Sequence, residues 1–178
     1  MGGRALKIAK AAPLKERLAA LINSVPDEIW FADNQGQFKL VNPSGRSEFK
    51  LHGRTPVDIR KLAGRLEVFR PDGSLRPVEE APPLRALKGE TLRNQDEMVR
   101  TPATGDMRYR QVSSSPVKDA AGQIVGSVSV VRDVTEQKLI EHKVRCLNLE
   151  LEAQVAERTA ALQGTVAELK AEIAERRR

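Results

Sequence analysis

Apolar residues recur at three- and four-residue steps in Leu14, Leu18, Leu21, Ile22 and Val25, which predicts an amphipathic helix ending at Pro26. Pro13 suits its first turn, where a missing N–H costs nothing. The pattern then changes. Residues 29–32 and 38–41 are short apolar runs separated by Asp33-Asn34-Gln35-Gly36. Asn and Gly accept positive φ, so the two runs predict a hairpin. Pro43 opens a stretch of short helices reaching about Leu62, and Pro71-Asp72-Gly73 reads as a turn. Pro82 and Pro83 start a helix over 84–87 that Gly89 stops. Three strands follow at about 93–101, 107–117 and 124–132, separated by Thr104-Gly105-Asp106 and Asp119-Ala120-Ala121-Gly122. Short connections make them an antiparallel meander. The order ββ, helices, βββ predicts an α+β domain over 27–135.

Residues 134–178 contain no proline and one glycine, Gly164. Ile140, Val144, Leu147 and Leu151 step by 4, 3 and 4, while Thr159, Leu162, Val166, Leu169 and Ile173 step by 3, 4, 3 and 4. Between the sets, Leu151, Val155 and Thr159 step by 4 and 4, so the heptad seam carries a local phase shift. A helix of these 45 residues is roughly 67 Å long. It is too long to lie down on a 109-residue domain, so its stripe needs a partner helix, most simply its own copy in a parallel homodimer.

At 40% hydrophobic and 30% charged, the chain can build a core. Its six aromatic residues are few for a nucleic-acid stacking surface. The single cysteine, Cys146, excludes an intrachain disulfide framework and a thiolate zinc cluster. The two histidines, His52 and His142, stand 90 positions apart, so no metal site is expected. No apolar run reaches the roughly 18 residues a membrane span needs, and Lys7 and Lys10 break the start as a signal peptide. A cytoplasmic protein is the expectation. The net charge of +6 is concentrated in residues 1–26, with five basic side chains against one acid, while 136–178 hold eight of each. A basic arm can bind phosphate, which keeps a nucleic-acid-binding dimer as an alternative. The plainer reading is a solvated tail, and an electroneutral coil is unlike the Arg/Lys-dense fork of a basic zipper.

Several segments, in order, resemble a PAS domain followed by a signalling coiled coil. Leu21-Ile22-Asn23-Ser24-Val25-Pro26-Asp27 and then Ile29-Trp30-Phe31-Ala32-Asp33 look like the family's opening helix and first strand. Gly36-Gln37-Phe38-Lys39-Leu40-Val41-Asn42-Pro43 looks like its second strand and following helix. Tyr109 to Pro116 and Gly122-Gln123-Ile124-Val125-Gly126 look like its last two strands, and Arg132-Asp133-Val134-Thr135-Glu136 like its closing Asp-aliphatic-Thr signature. The tail from Val155 is similar to linkers between bacterial sensor modules. The resemblance implies a five-stranded antiparallel sheet with short helices on one face, flanked by an N-terminal helix and a long C-terminal coiled-coil helix. It divides the chain into a basic arm and cap helix (1–26), a PAS sensory domain (27–135) and a coiled-coil signalling linker (136–178). It implies a sensory and dimerisation module of a sensor histidine kinase or diguanylate cyclase, relaying a signal to an output domain absent from this chain. A ligand-free structural dimerisation module is the alternative.

No enzyme activity is expected. There is no P-loop, no G-x-S-x-G nucleophile motif and no kinase or cyclase signature. His142 is followed by Lys143, whereas a phosphoacceptor histidine is normally followed by an acid. Cys146 lies outside the sensory domain, so no covalent flavin or thioester chromophore is expected, and residues 82–92 hold no histidine for haem. His52 reads as a turn residue. By alternation Tyr109, Gln111, Ser113 and Ser115 share a face, and by resemblance it points to the helices together with Ser127 and Ser129. These six are the candidate lining of a polar cavity holding a small polar molecule or nothing. The alternative reverses the faces, with Val112, Val128 and Val130 inward. Trp30 is expected on the outer face, opposite to Ile29 and Phe31. Asp133, Thr135 and Glu136 form the candidate transmission junction, since Asp133 and Glu136 have capping-box spacing.

Overall fold

The computed structural model describes residues 13–51, 57–101 and 104–176. The chain divides between Val134 and Thr135 into two compact units. In the first, α1 (Leu14–Ser24) starts behind Pro13, whose carbonyl accepts from the N–H groups of Glu16 and Arg17 at 2.9 and 3.1 Å. None of its residues is buried. β1 (Glu28–Asp33) and β2 (Gln37–Val41) form the expected hairpin. The Asp33 carboxylate closes the turn by accepting from the N–H groups of Gln35 and Gln37, and Gly36 takes φ +77°.

Three short helices then cross one face of the sheet: α2 (Pro43–Glu48), α3 (Ile59–Ala63) and, after a 3-10 turn at Val78–Glu80, α4 (Pro82–Leu87). Prolines begin α2 and α4, while Asn42 and Asp58 side chains cap α2 and α3. The strands β5 (Leu92–Arg100), β6 (Met107–Lys118) and β7 (Ile124–Asp133) follow as a meander. The sheet has seven strands rather than five. The additional pair, β3 (Val57–Asp58) and β4 (Val68–Phe69), lie at the two edges in the order β3-β2-β1-β7-β6-β5-β4. Each is two residues long, too short for alternation to show in a sequence. All pairings are antiparallel, and β1 is joined to β7 at the centre.

The core lies between the sheet and the short helices. Trp30, Ala32, Phe38, Val112 and Val131 from the strands meet Phe49, Ile59, Ala81 and Leu84. Trp30 packs against Phe38 and Phe49 with ring centroids 4.9 and 5.2 Å away, the latter edge-to-face. Its position is therefore a correction: Trp30 points inward, and Ile29 and Phe31 are the half-buried outer residues. The run 28–32 is apolar on both faces except for Glu28, so alternation alone does not say which face is inner. The second unit is one helix, α5 (Thr135–Arg176), of 42 residues and about 63 Å.

Candidate functional site

A row of charges crosses the inner face of the sheet. Glu97 of β5 and Arg110 of β6 are cross-strand partners. Arg76, in the loop after β4, pairs with Glu97, and Glu28 of β1 pairs with Arg110. The row reads Arg76, Glu97, Arg110, Glu28, alternating in sign, and ends where the Trp30 indole N–H donates to Glu28 Oε2 at 2.9 Å. Arg110 and Glu28 are buried. Ions taken out of water persist only when paired, and the alternation supplies each with a counter-charge. Burial pushes the Glu97 carboxyl up, against the pull of Arg76. It draws the Arg110 guanidinium down to about 10, against the attraction of Asp133, so Arg110 remains a cation at neutral pH. Arg110 Cζ also stands 4.9 Å over the Phe49 ring centroid, a cation–π contact that fixes it from above.

Between this row and the short helices is a cavity of about 80 Å³. Its far wall is apolar, with Ile59, Leu62 and Leu66 facing Trp30, Phe38 and Phe49. At 10–15 Å³ per water it has room for roughly five to eight waters, far below the several hundred Å³ of a pocket for a drug-sized ligand. Among the described residues, Glu48 Oε1, Arg76 Nε, Arg110 Nη2 and Ser127 Oγ are buried without a hydrogen-bond partner.

Of the six residues expected to line a cavity, Ser129 does. Ser127 and Ser129 face inward as expected and are buried. Tyr109, Gln111, Ser113 and Ser115 are a correction: they lie on the outer face, while Arg110, Val112 and Ser114 are the buried residues of β6. Val112 is thus inward, as the reversed alternative had it, but Val128 and Val130 of β7 are not. The reason is a one-residue register shift. At the turn end of the pair Lys118 meets Ile124, but from Val117 onward the partners are Val117–Gly126, Ser115–Val128 and Ser113–Val130. Without the shift, Ser115 would oppose Ser127 and Ser113 would oppose Ser129. A slip of one residue exchanges the faces. Ser129 instead meets Ser114, with their hydroxyls 2.6 Å apart. Gln111 donates to Asp96 and Ser113 to Asn94 on the outer surface.

Glu28, Arg76, Glu97 and Arg110 were missed from sequence. Their signal was present but weak: Arg110 alternates with Val112, and Glu28 with Trp30 and Ala32, as core positions do. At the junction, Asp133 closes β7 and accepts from Arg108 at 2.7 Å, and Thr135 is the first residue of α5. Asp133 therefore stands one residue before the N-cap position, not on it. The seam residues Ile140, Val144, Leu147, Leu151, Leu162, Val166, Leu169 and Ile173 are all on α5 and all exposed. His142 and Cys146 are neighbours on α5, Nδ1 to Sγ 3.7 Å. His52 and the basic arm before Pro13 lie outside the described residues. Among the described residues no helix is long and apolar enough to cross a membrane, and no group of three or more His, Cys, Asp or Glu could hold a metal ion.

This sheet, with short helices over a hollow, charged inner face and a long helix following the last strand, defines an α+β domain built on one antiparallel sheet. Residues 22–139 match the family described as the PAS fold, and the chain belongs to it. Among curated proteins it is similar to the alginate biosynthesis sensor protein KinB of Pseudomonas aeruginosa, 31% identical over 137 residues. That match takes in 71% of this chain and about a fifth (20%) of the relative's length. Among solved structures, an RNA-binding light-oxygen-voltage receptor superposes with a TM-score of 0.55 at 18% identity, covering 85% of this chain and 42% of that one. A sensory box histidine kinase/response regulator from Burkholderia thailandensis E264 gives 0.50 at 21%, covering 76% and 98%. At such identities the structural likeness speaks for the fold alone.

Proposed function

We propose that the chain is a sensory and dimerisation module of a signal-transduction protein, of the sensor histidine kinase or diguanylate cyclase kind. In this reading it does no chemistry itself. Occupancy or strain in the cavity biases the sheet, and the bias passes along α5, paired with its own copy, to an output domain. The observation that carries the reading is that the cavity floor and the helix share one strand: Ser129 and Val131 of β7 line the cavity, and β7 runs through Val134 directly into α5. The similarity to a sensor protein about five times the matched length supports an output elsewhere in a longer chain. The reading puts the module in the cytoplasm, where the exposed free thiol of Cys146 stays reduced.

The test is Asp133→Ala and Thr135→Ala in the full-length protein. Asp133 ties the end of β7 to Arg108, which also approaches Glu48 at 3.6 Å. Removing it loosens the point where strand becomes helix. Basal output or the response to signal changes while light scattering still shows a dimer. Output that tracks only the amount of folded dimer refutes the relay.

A further inference from the structure

Resting on the sensory reading, the ligand class can be narrowed. We propose that the cavity beneath Trp30 binds a small, uncharged molecule with an apolar body and one hydrogen-bond-accepting oxygen, which it presents to Arg76 Nε. Three observations converge. The first is the buried Arg76 Nε–H, which has no acceptor among the described residues although its Nη1 is engaged by Glu97; Arg110 Nη2 also lacks a hydrogen bond but lies against the Glu28 carboxylate. A donor out of water without a partner is a standing demand for an acceptor.

The second is charge. Arg76 and Arg110 are already matched one for one by Glu97 and Glu28. An incoming carboxylate would be a third buried anion against two cations, and an incoming ammonium the reverse, so either would remain uncompensated. Burial already raises the Glu97 carboxyl, which makes a further negative charge beside it less welcome still. The third is shape. The wall opposite the charges is Ile59, Leu62 and Leu66, so a file of waters would find polar partners on one side only. An engineered cavity of about 150 Å³ holds benzene. At about 80 Å³ this one is about half as large and suits a body of about three or four heavy atoms.

The experiment titrates the 15N-labelled 178-residue chain with three probes of similar size: acetone, cyclopropane and acetate. The readout is the Arg76 Nε–H resonance, assigned by its loss in Arg76→Lys. Acetone is expected to move it saturably, with half-effect in the millimolar range set by so small a ligand. Acetate at neutral pH leaves it in place, and cyclopropane binds about tenfold more weakly for want of the acceptor. Ala63→Leu fills the cavity while keeping all four charged side chains and weakens acetone about tenfold. Arg76→Lys, followed through the Trp30 indole N–H resonance, keeps the charge opposite Glu97 and removes the preference for acetone over cyclopropane. Acetate binding as well as the ketone, cyclopropane matching it, or an Arg76 resonance that never saturates each overturns the proposal. Binding is read on the cavity alone. A failed titration beside an intact Asp133 and Thr135 output effect discards only the ligand class. The expected titration beside an output indifferent to those variants discards only the relay.

Discussion

Asn42 holds three elements together with one side chain. Its Oδ1 accepts from the Ile29 N–H at 3.0 Å and the Gly45 N–H at 3.2 Å, starting β1 and capping α2. Its Nδ2 donates to the carbonyls of Val25 and Asp27 at 3.2 and 2.9 Å, and more distantly to Ile22 at 3.4 Å. With 1% of its surface exposed, water replaces none of these bonds. Asn42→Ala is expected to lose about 3 kcal/mol in chemical denaturation, from a cap and several buried partners left unmade. Asn42→Asp is the sharper experiment, since it keeps the cap but turns a donor into an oxygen facing carbonyls. It is expected to cost at least as much as alanine at pH 7. An aspartate variant near wild type would mean that the cap alone matters.

Among elements, the pairing of β1 with β7 decides whether the cavity has a floor, because Glu28 and Trp30 come from one strand and Ser129 and Val131 from the other. The two meet closely at Gly126. A Cβ there would lie 2.3 Å from the Ala32 carbonyl oxygen and 2.9 Å from the Phe31 ring. Backbone cannot yield as a side-chain tip can, so Gly126→Ala is expected to force the strands apart, at a cost of about 2–3 kcal/mol. Faster amide exchange in β1 than in β5 checks where the damage falls, and a thermal midpoint equal to wild type would contradict the close approach. The same region shows where sequence stops being informative. Strand limits were legible because Asp119-Ala120-Ala121-Gly122 and Pro82-Pro83 are strong local signals. Which residues share a face was not, because Val125, immediately before Gly126, is the extra residue of the register shift. Nothing in its own chemistry marks it. The charged row stayed hidden for a related reason: its four members lie far apart in the chain and are assembled by three ladders and a loop.

For the molecule as a whole, order and periodicity were legible: a cap helix, a mixed domain and one continuous helix. The stripe on α5 has no occupant within that unit. Leu162 remains 66% exposed and Ile140 55%, and the other six seam residues are similar. Surface of that kind along about 63 Å is covered when two copies pair. The phase shift at Leu151, Val155 and Thr159 inserts an extra four-residue step, which unwinds a left-handed supercoil locally without leaving the seam. A parallel pair is expected, since only that arrangement delivers both sensory units to the same end of the coil. Two substitutions separate the contributions. Leu147→Asp and Leu169→Asp each set a carboxylate against its own copy in a desolvated seam, before and after the shift. Each alone should raise the dimer dissociation constant by one to several tenfold steps, and the pair should give a monomer in light scattering. Orientation is read from spin labels at Glu168. A parallel pair keeps the two labels side by side, whereas an antiparallel pair centred on the helix would separate them by about 37 Å along the axis. A long label distance refutes the parallel pairing, and a wild-type chain that is monomeric at micromolar concentration leaves the seam without its partner and the relay without a second helix.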